Sequence, residues 1–337
     1  MRYYILILLL VASCSQMEQI PPRQDPLVGK IYKGSGQEMT QAEVYTQALK
    51  SDVIYLGESH ENKDQHKIQL ELIGHLIEKK QKIAIGLEFF YQSQTSLLMS
   101  YVQGRPKGKH GKVKPGADPQ KAIQNLRERL GWAQVDDETW EKYFAFIALA
   151  KKHDLVVFGA DLPRSLNYRI SRNSWKGLTG LEQIQAPMGK QPTAAYEELM
   201  KERFTAAHCG WSEEKLLGKL YETWRARNEA MAISIANMKP QVGKVVMIVG
   251  GGHVENNLGL VSHLKIKKPQ WKQMNIGLTE IPLEESTLGE ILAPTKSLKG
   301  KNFGVSHDIF WFTGRHSWVH PCKRFQKQLS THKTDKK

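Results

Sequence analysis

Four short apolar runs each end in residues that can do chemistry. Val53-Ile-Tyr-Leu56 leads into Gly57-Glu58-Ser59-His60, and Ile83-Ala-Ile-Gly-Leu87 into Glu88. Leu155-Val-Val-Phe158 leads toward Asp161 and Pro163-Arg164, and Lys244-Val-Val-Met-Ile-Val249 into Gly250-Gly251-Gly252-His253. Two imidazoles with carboxylates suit either a divalent first-row metal or a general acid–base pair. His60, His253, Glu58 and Glu88 are the candidate metal ligands; the same four with Arg227 are the candidate catalytic set. Glycines ahead of both histidines allow a sharp turn and close approach to a ligand, and the Gly250–Gly252 run can offer N–H groups to an anion. No G-x-G-x-x-G fingerprint occurs, so a dinucleotide site is not expected.

These residues need elements to bring them together. The four runs lack period-two alternation and are separated by helical patterns, such as Ile68, Leu72, Ile73, Leu76 and Ile77 on one face. That arrangement predicts an α/β fold, mainly a parallel sheet flanked by helices. In such sheets ligands bind beyond the carboxyl ends of the strands, where all four polar stretches then meet. Asn275–Ile281 and Asp308–Thr313 are further strand candidates. The stretches near 102–150 and 173–215 are too long for simple crossovers and are expected to form a smaller helical cap subdomain. Leu220, Trp224, Arg227, Met231, Ile235 and Met238 follow helical spacing, which puts Arg227 within an apolar stripe. A guanidinium there needs a carboxylate or an anionic ligand, with Glu58 or Glu88 as the natural partner. His66, His75, His110 and His153 have no comparable setting and are expected at the surface.

The whole chain has 337 residues, 48 Lys plus Arg against 34 Asp plus Glu, and a formal charge of +14. Its 40% hydrophobic and 24% charged content is that of a globular protein. The longest apolar run, Ile5 to Ala12, is too short to span a membrane as a helix. It follows Arg2 and precedes Val11-Ala12-Ser13-Cys14, which resembles a bacterial lipobox. Residues 1–13 are therefore expected to be a signal peptide, Cys14 the lipidated residue, and 14–30 a tether to the main domain at 31–315. Ser15 suits sorting to the outer membrane, with the body in the periplasm or at the cell surface. Export would place Cys209 and Cys322 in an oxidising space, where a disulfide between them and two free thiols are both compatible with the sequence. The basic stretch Gly104–Gly116 and the basic tail 316–337 suit an anionic membrane surface. No nucleic-acid motif occurs, and no nucleic-acid partner is expected.

Gly57-Glu-Ser-His60, Glu88 within Gly86-Leu-Glu-Phe-Phe90, Arg227-Asn228 and Gly250-Gly-Gly-His253, in that order, resemble the signature of the ChaN-like haem-binding lipoproteins. Gly159-Ala-Asp-Leu-Pro-Arg164 resembles a strand-end stretch of the same family. The likeness spans roughly residues 50 to 315. ChaN-like proteins belong to the Tiki superfamily, which includes TraB proteins and resembles the erythromycin esterases. The resemblance implies haem as cofactor, iron uptake, a haem-bridged homodimer, and a Tyr ligand to iron. Tyr168, just after the Pro-Arg stretch, is the first candidate, with Tyr143 and Tyr196 as alternatives. It also implies an outer-membrane haem receptor as a partner. The wider superfamily implies a second reading, a metal-dependent hydrolase using the two G-x-x-H turns.

Overall fold

Among the described residues, eight strands form one sheet in the order β2-β1-β8-β7-β3-β6-β4-β5. In the computed structural model they are β1 (Ile31–Lys33), β2 (Glu38–Met39), β3 (Val53–Glu58), β4 (Ile83–Tyr91), β5 (Val156–Asp161), β6 (Lys244–Gly250), β7 (Gln273–Glu280) and β8 (Ile309–Thr313). The pairs from β8 through β7, β3, β6 and β4 to β5 are all parallel, and β1 adds antiparallel to β8 and to β2. The structure describes residues 21–104, 118–190, 193–210 and 213–324. Cys14, His110, nearly all of the 104–116 stretch and the tail from 325 lie outside the described residues. One compact unit runs from Gln24 to His316. Leu27 packs beside Phe310 and Phe312 of β8. Among the described residues, 21–23 and 317–324 belong to a second unit, in which the Arg23 guanidinium lies 5.5 Å from the Trp318 ring centre.

Alternation within each strand divides the core. Ile54 and Leu56 of β3, Ile85 and Leu87 of β4, and Val246 and Ile248 of β6 face one helical layer. That layer includes α1 (Gln41–Lys50), α2 (Lys63–Glu78), α3 (Thr95–Val102), α4 (Pro119–Arg129) and α5 (Asp137–Lys152). Leu72, Ile73 and Leu76 of α2 and Trp140, Phe146 and Ile147 of α5 are buried against it. Within the 102–150 stretch, α4 and α5 thus lie on this face of the sheet. Val53, Tyr55, Val245, Met247 and Val249 face the other side. There they meet α9 (Glu214–Met238) through Met231 and Ile235, and α10 (Leu260–Lys267) through Leu260 and Leu264. Helices α6 (Arg164–Asn173), α7 (Gly180–Gln185) and α8 (Ala194–Ala207) precede α9, and α11 (Leu288–Ile291) precedes β8.

The helix that carries α2's polar residues starts where the sequence can stop the strand's exit loop. Asn62 accepts from the backbone N–H groups of Asp64 and Gln65, satisfying donors that the first turn leaves free. At the outer edge of the sheet, β5 runs close under the end of β4. A Cβ on Gly159 would lie 2.2 Å from the Tyr91 carbonyl oxygen and 2.8 Å from Phe90 backbone atoms. Backbone cannot move aside as a side-chain tip can, so Gly159→Ala is expected to cost about 1–3 kcal/mol, read as a lower urea midpoint.

Candidate functional site

The carboxyl ends of β3, β6, β4 and β5 bring Glu58, His253, Glu88 and Asp161 to one edge of the sheet. Glu88 is buried at its centre. One oxygen accepts from Arg227 Nη2 at 2.7 Å and lies 3.3 Å from His253 Nε2; the other accepts from the Gly250 N–H at 2.6 Å. Burial opposes its charge, but His253, Arg227 and His60 hold its carboxyl well below the usual range.

Arg227 also donates to Asp161, from Nε at 2.8 Å. Of the two candidates for its partner, Glu88 is the one it meets, and Asp161 is a second carboxylate on the same guanidinium. Burial nevertheless leaves the Asp161 carboxyl above its ordinary value, with Arg227 opposing. Arg225, two residues earlier on α9, instead donates to the Gly189 carbonyl.

Glu58 belongs to a separate network. It accepts from Tyr143 Oη at 2.9 Å and from Gln69 Nε2 at 2.7 Å, and it lies 3.2 Å from His60 Nδ1 and 3.3 Å from His66 Nε2. Burial works against its charge, yet the two imidazoles overcome it and hold the carboxyl down to about 2. His66 is therefore not at the surface as expected; it is buried on the inner stripe of α2 with Gln65 and Gln69. That signal was readable, because positions 65, 66 and 69 continue the helical spacing of Leu72, Ile73 and Leu76. His75 is half-buried, stacked on Tyr45, and His153 is exposed.

The two G-x-x-H imidazoles differ. His60 is half-exposed, packed edge-on against Phe89, and bound to Glu58 through Nδ1, which leaves Nε2 on the side of Glu88 and Gly250. Burial lowers its pKa, but Glu58 and Glu88 raise it overall. A Cβ on Gly250 would come within 2.8 Å of the ring, so any side chain there would displace the imidazole. His253 is buried and stacked 3.9 Å from Trp224, with Nδ1 2.8 Å from Asn228 Oδ1. An amide oxygen only accepts, so Nδ1 carries a proton. Burial pushes the His253 pKa down against the pull of Glu88.

The expected metal set does not converge. Among the described residues no group of three or more His, Cys, Asp or Glu is arranged to hold a metal ion. The chemistry of the donors gives the reason: Arg227 occupies Glu88 and Asp161, while Glu58 is filled by donors from α2 and α5. These residues form two carboxylate–imidazole pairs instead.

Above Glu88 and Arg227 opens a cleft of about 530 Å³, whose lining includes His60, Phe89, Asp161, Arg164 and Tyr168. Tyr168 is 58% exposed. Tyr143 is buried, stacked 3.9 Å from Phe89, and burial with Glu58 pushes its phenol pKa far up. Tyr196 is buried too, its hydroxyl accepting from Trp224 Nε1. Cys209 and Cys322 are both disulfide-bonded.

No curated protein is similar enough in sequence to count as a match. Among solved structures, ChaN of Campylobacter jejuni, reported with cofacial haem binding, shares the fold. It has 20% identity over 86% of this chain and 98% of that chain, with a TM-score of 0.61. An erythromycin esterase variant in its open conformation aligns at 13% identity over 84% of this chain and 97% of that one, with a TM-score of 0.43. The model of the family described as haem-binding uptake, Tiki superfamily, ChaN, matches residues 44–264, which takes in both G-x-x-H turns, Glu88, Asp161 and Arg227. The chain belongs to the ChaN haem-binding uptake family of the Tiki superfamily.

Proposed function

We propose that this protein is a haem-binding lipoprotein of an iron- or haem-uptake system, with Tyr168 as the iron ligand. The observation that carries this reading is the exposed Tyr168 phenol in the cleft over the strand ends; the hydroxyls of Tyr143 and Tyr196 are buried and engaged. Arg164 lines the same cleft, and the Arg172 guanidinium lies 5.2 Å from the Tyr168 ring centre. Both can meet the carboxylates of haem propionates. Bound haem supplies the iron, and a phenolate is a known type of axial ligand. An exposed ligand leaves one haem face open, so a second protomer covering it belongs to the proposal. The Campylobacter relative is reported to bind haem cofacially.

The test is a haemin titration followed by absorption and size exclusion. A saturable Soret shift with conversion to dimer is expected; no specific shift in folded protein defeats the reading. The cellular part of the proposal is a lipid anchor at Cys14, an outer-membrane location and delivery to or from a haem receptor. Cys14→Ser is expected to move the protein from the membrane fraction to the soluble periplasm, because two or more acyl chains anchor firmly. Retention in the membrane fraction would contradict the anchor.

One feature favours a second reading, hydrolysis. His60 is tied to Glu58 through Nδ1 and presents its other face to the cleft, the arrangement of an oriented general base. Arg227, already shared by two carboxylates, has little charge left for a developing oxyanion. If the site turns over esters or peptides, His60→Ala should lower the rate by about 10²–10⁴-fold. Equal background rates for both proteins would remove this reading.

A further inference from the structure

We infer that the chain has a second ligand site, at the opposite edge of the sheet from Tyr168, which takes the headgroup of an anionic phospholipid. The site is a cleft of about 620 Å³ between α10 and the start of β7. Gln273 is the first residue of β7, so the cleft lies at the amino ends of the parallel strands, about 20 Å along the sheet from the functional edge.

Its lining is apolar on one side and cationic at the mouth. Ile266 is 53% exposed and stands beside Val261 and the half-buried Trp271. Lys265 and Lys272 line the cleft, and the Lys268 ammonium lies 5.5 Å from the Trp271 ring centre. Two neighbouring lysines are neutralised: Lys267 by Glu229 and Lys239 by Asp52. Among the described residues Lys265, Lys268 and Lys272 have no carboxylate partner. One acid lines the far end, Asp308, and its two oxygens already accept from Asn257 Nδ2 and the Asn275 N–H.

Gln273 also lines the cleft, its side-chain amide hydrogen-bonded to the buried Tyr55 hydroxyl at 2.6 Å. Lys265, whose ammonium donates only to the Pro269 carbonyl, Lys268 and Lys272, none with a carboxylate partner, and an exposed aliphatic wall together match a phosphodiester with attached acyl chains. They fit inorganic phosphate less well, since it has no use for Ile266. Lysines near an anionic leaflet gain attraction that falls off within a Debye length, so the interaction should weaken with salt.

The experiment uses the full chain carrying Cys14→Ser, so that no acyl anchor contributes, and co-sedimentation with phosphatidylcholine vesicles with or without phosphatidylglycerol. Binding only to the phosphatidylglycerol vesicles is expected, with a loss of about 20-fold for Lys265→Gln combined with Lys272→Gln. Ile266→Glu should weaken binding comparably, and circular dichroism establishes that each variant is folded. Equal binding to phosphatidylcholine overturns the proposal, as does undiminished binding by the double variant, which would assign the effect to another basic segment. Competition by millimolar inorganic phosphate also overturns it, in favour of a free-phosphate site. Haemin titration of the double variant should be unchanged, so the two sites are tested separately.

Discussion

Tyr168→Phe should abolish the ligand-specific Soret band of the haemin complex and weaken haemin binding by about 100-fold. The phenol oxygen is the proposed bond to iron, and Phe keeps the ring while removing it. The ring's contact with Arg172 and the fold of α6 should survive, because Leu166 and Ile170 rather than Tyr168 are buried there. Tyr196→Phe should leave the spectrum unchanged. Tyr143→Phe should also leave it unchanged while lowering stability, since it removes one of the donors to buried Glu58. A Tyr168→Phe protein with the wild-type spectrum and affinity would eliminate this ligand and the reading that rests on it.

The largest stability effect is expected from Arg227→Met. Glu88 and Asp161 are buried, and Arg227 is the cation both share. Removing it leaves two carboxylates close together without their counter-charge, a loss of about 3–5 kcal/mol. Arg227→Lys should recover part of this, since an ammonium can meet one carboxylate but lacks the planar fork that bridges two. The pH dependence separates this effect from a simple packing defect. Protonating Glu88 or Asp161 relieves the repulsion, so the Met variant's deficit should shrink as pH falls toward 5 and below. The wild-type protein behaves oppositely. Glu58 has a folded pKa of about 2 against an ordinary 4.5. A depressed acid stabilises above its unfolded pKa, and that stability is lost as pH falls from about 4.5 toward 2, on the order of 3 kcal/mol. Urea midpoints for both proteins from pH 7 to pH 3 provide the measurement. A Met variant whose deficit is constant with pH would mean that the carboxylates do not depend on Arg227.

Much of the frame was legible from local pattern. Each parallel strand at the site is a short unbroken apolar run, because both its faces are covered, and that leaves a mark in a single stretch of sequence. The antiparallel additions β1 and β2, only three and two residues long, leave no such mark and went unread. Placing Glu58, His60, Glu88, Asp161 and His253 at one edge followed from strand direction alone.

Which of these residues touch was not decided locally. Glu58 meets Tyr143, 85 residues away, because α5 folds back onto the same sheet face as α2. His66 and Gln69 close around the same carboxylate because α2 turns its inner stripe toward the end of β3. Arg227 chooses Asp161, 66 residues distant, over Glu58 because α9 packs on the opposite face from α2. The expected four-ligand metal cluster divides into two carboxylate–imidazole pairs for the same reason. The sequence by itself determined the strands, their direction and the inventory of acids, imidazoles and guanidinium at their ends. Only the tertiary structure decided the pairings and left Tyr168 exposed, since a buried charge takes whichever counter-charge helix packing brings within reach, and spacing along the chain does not encode that distance.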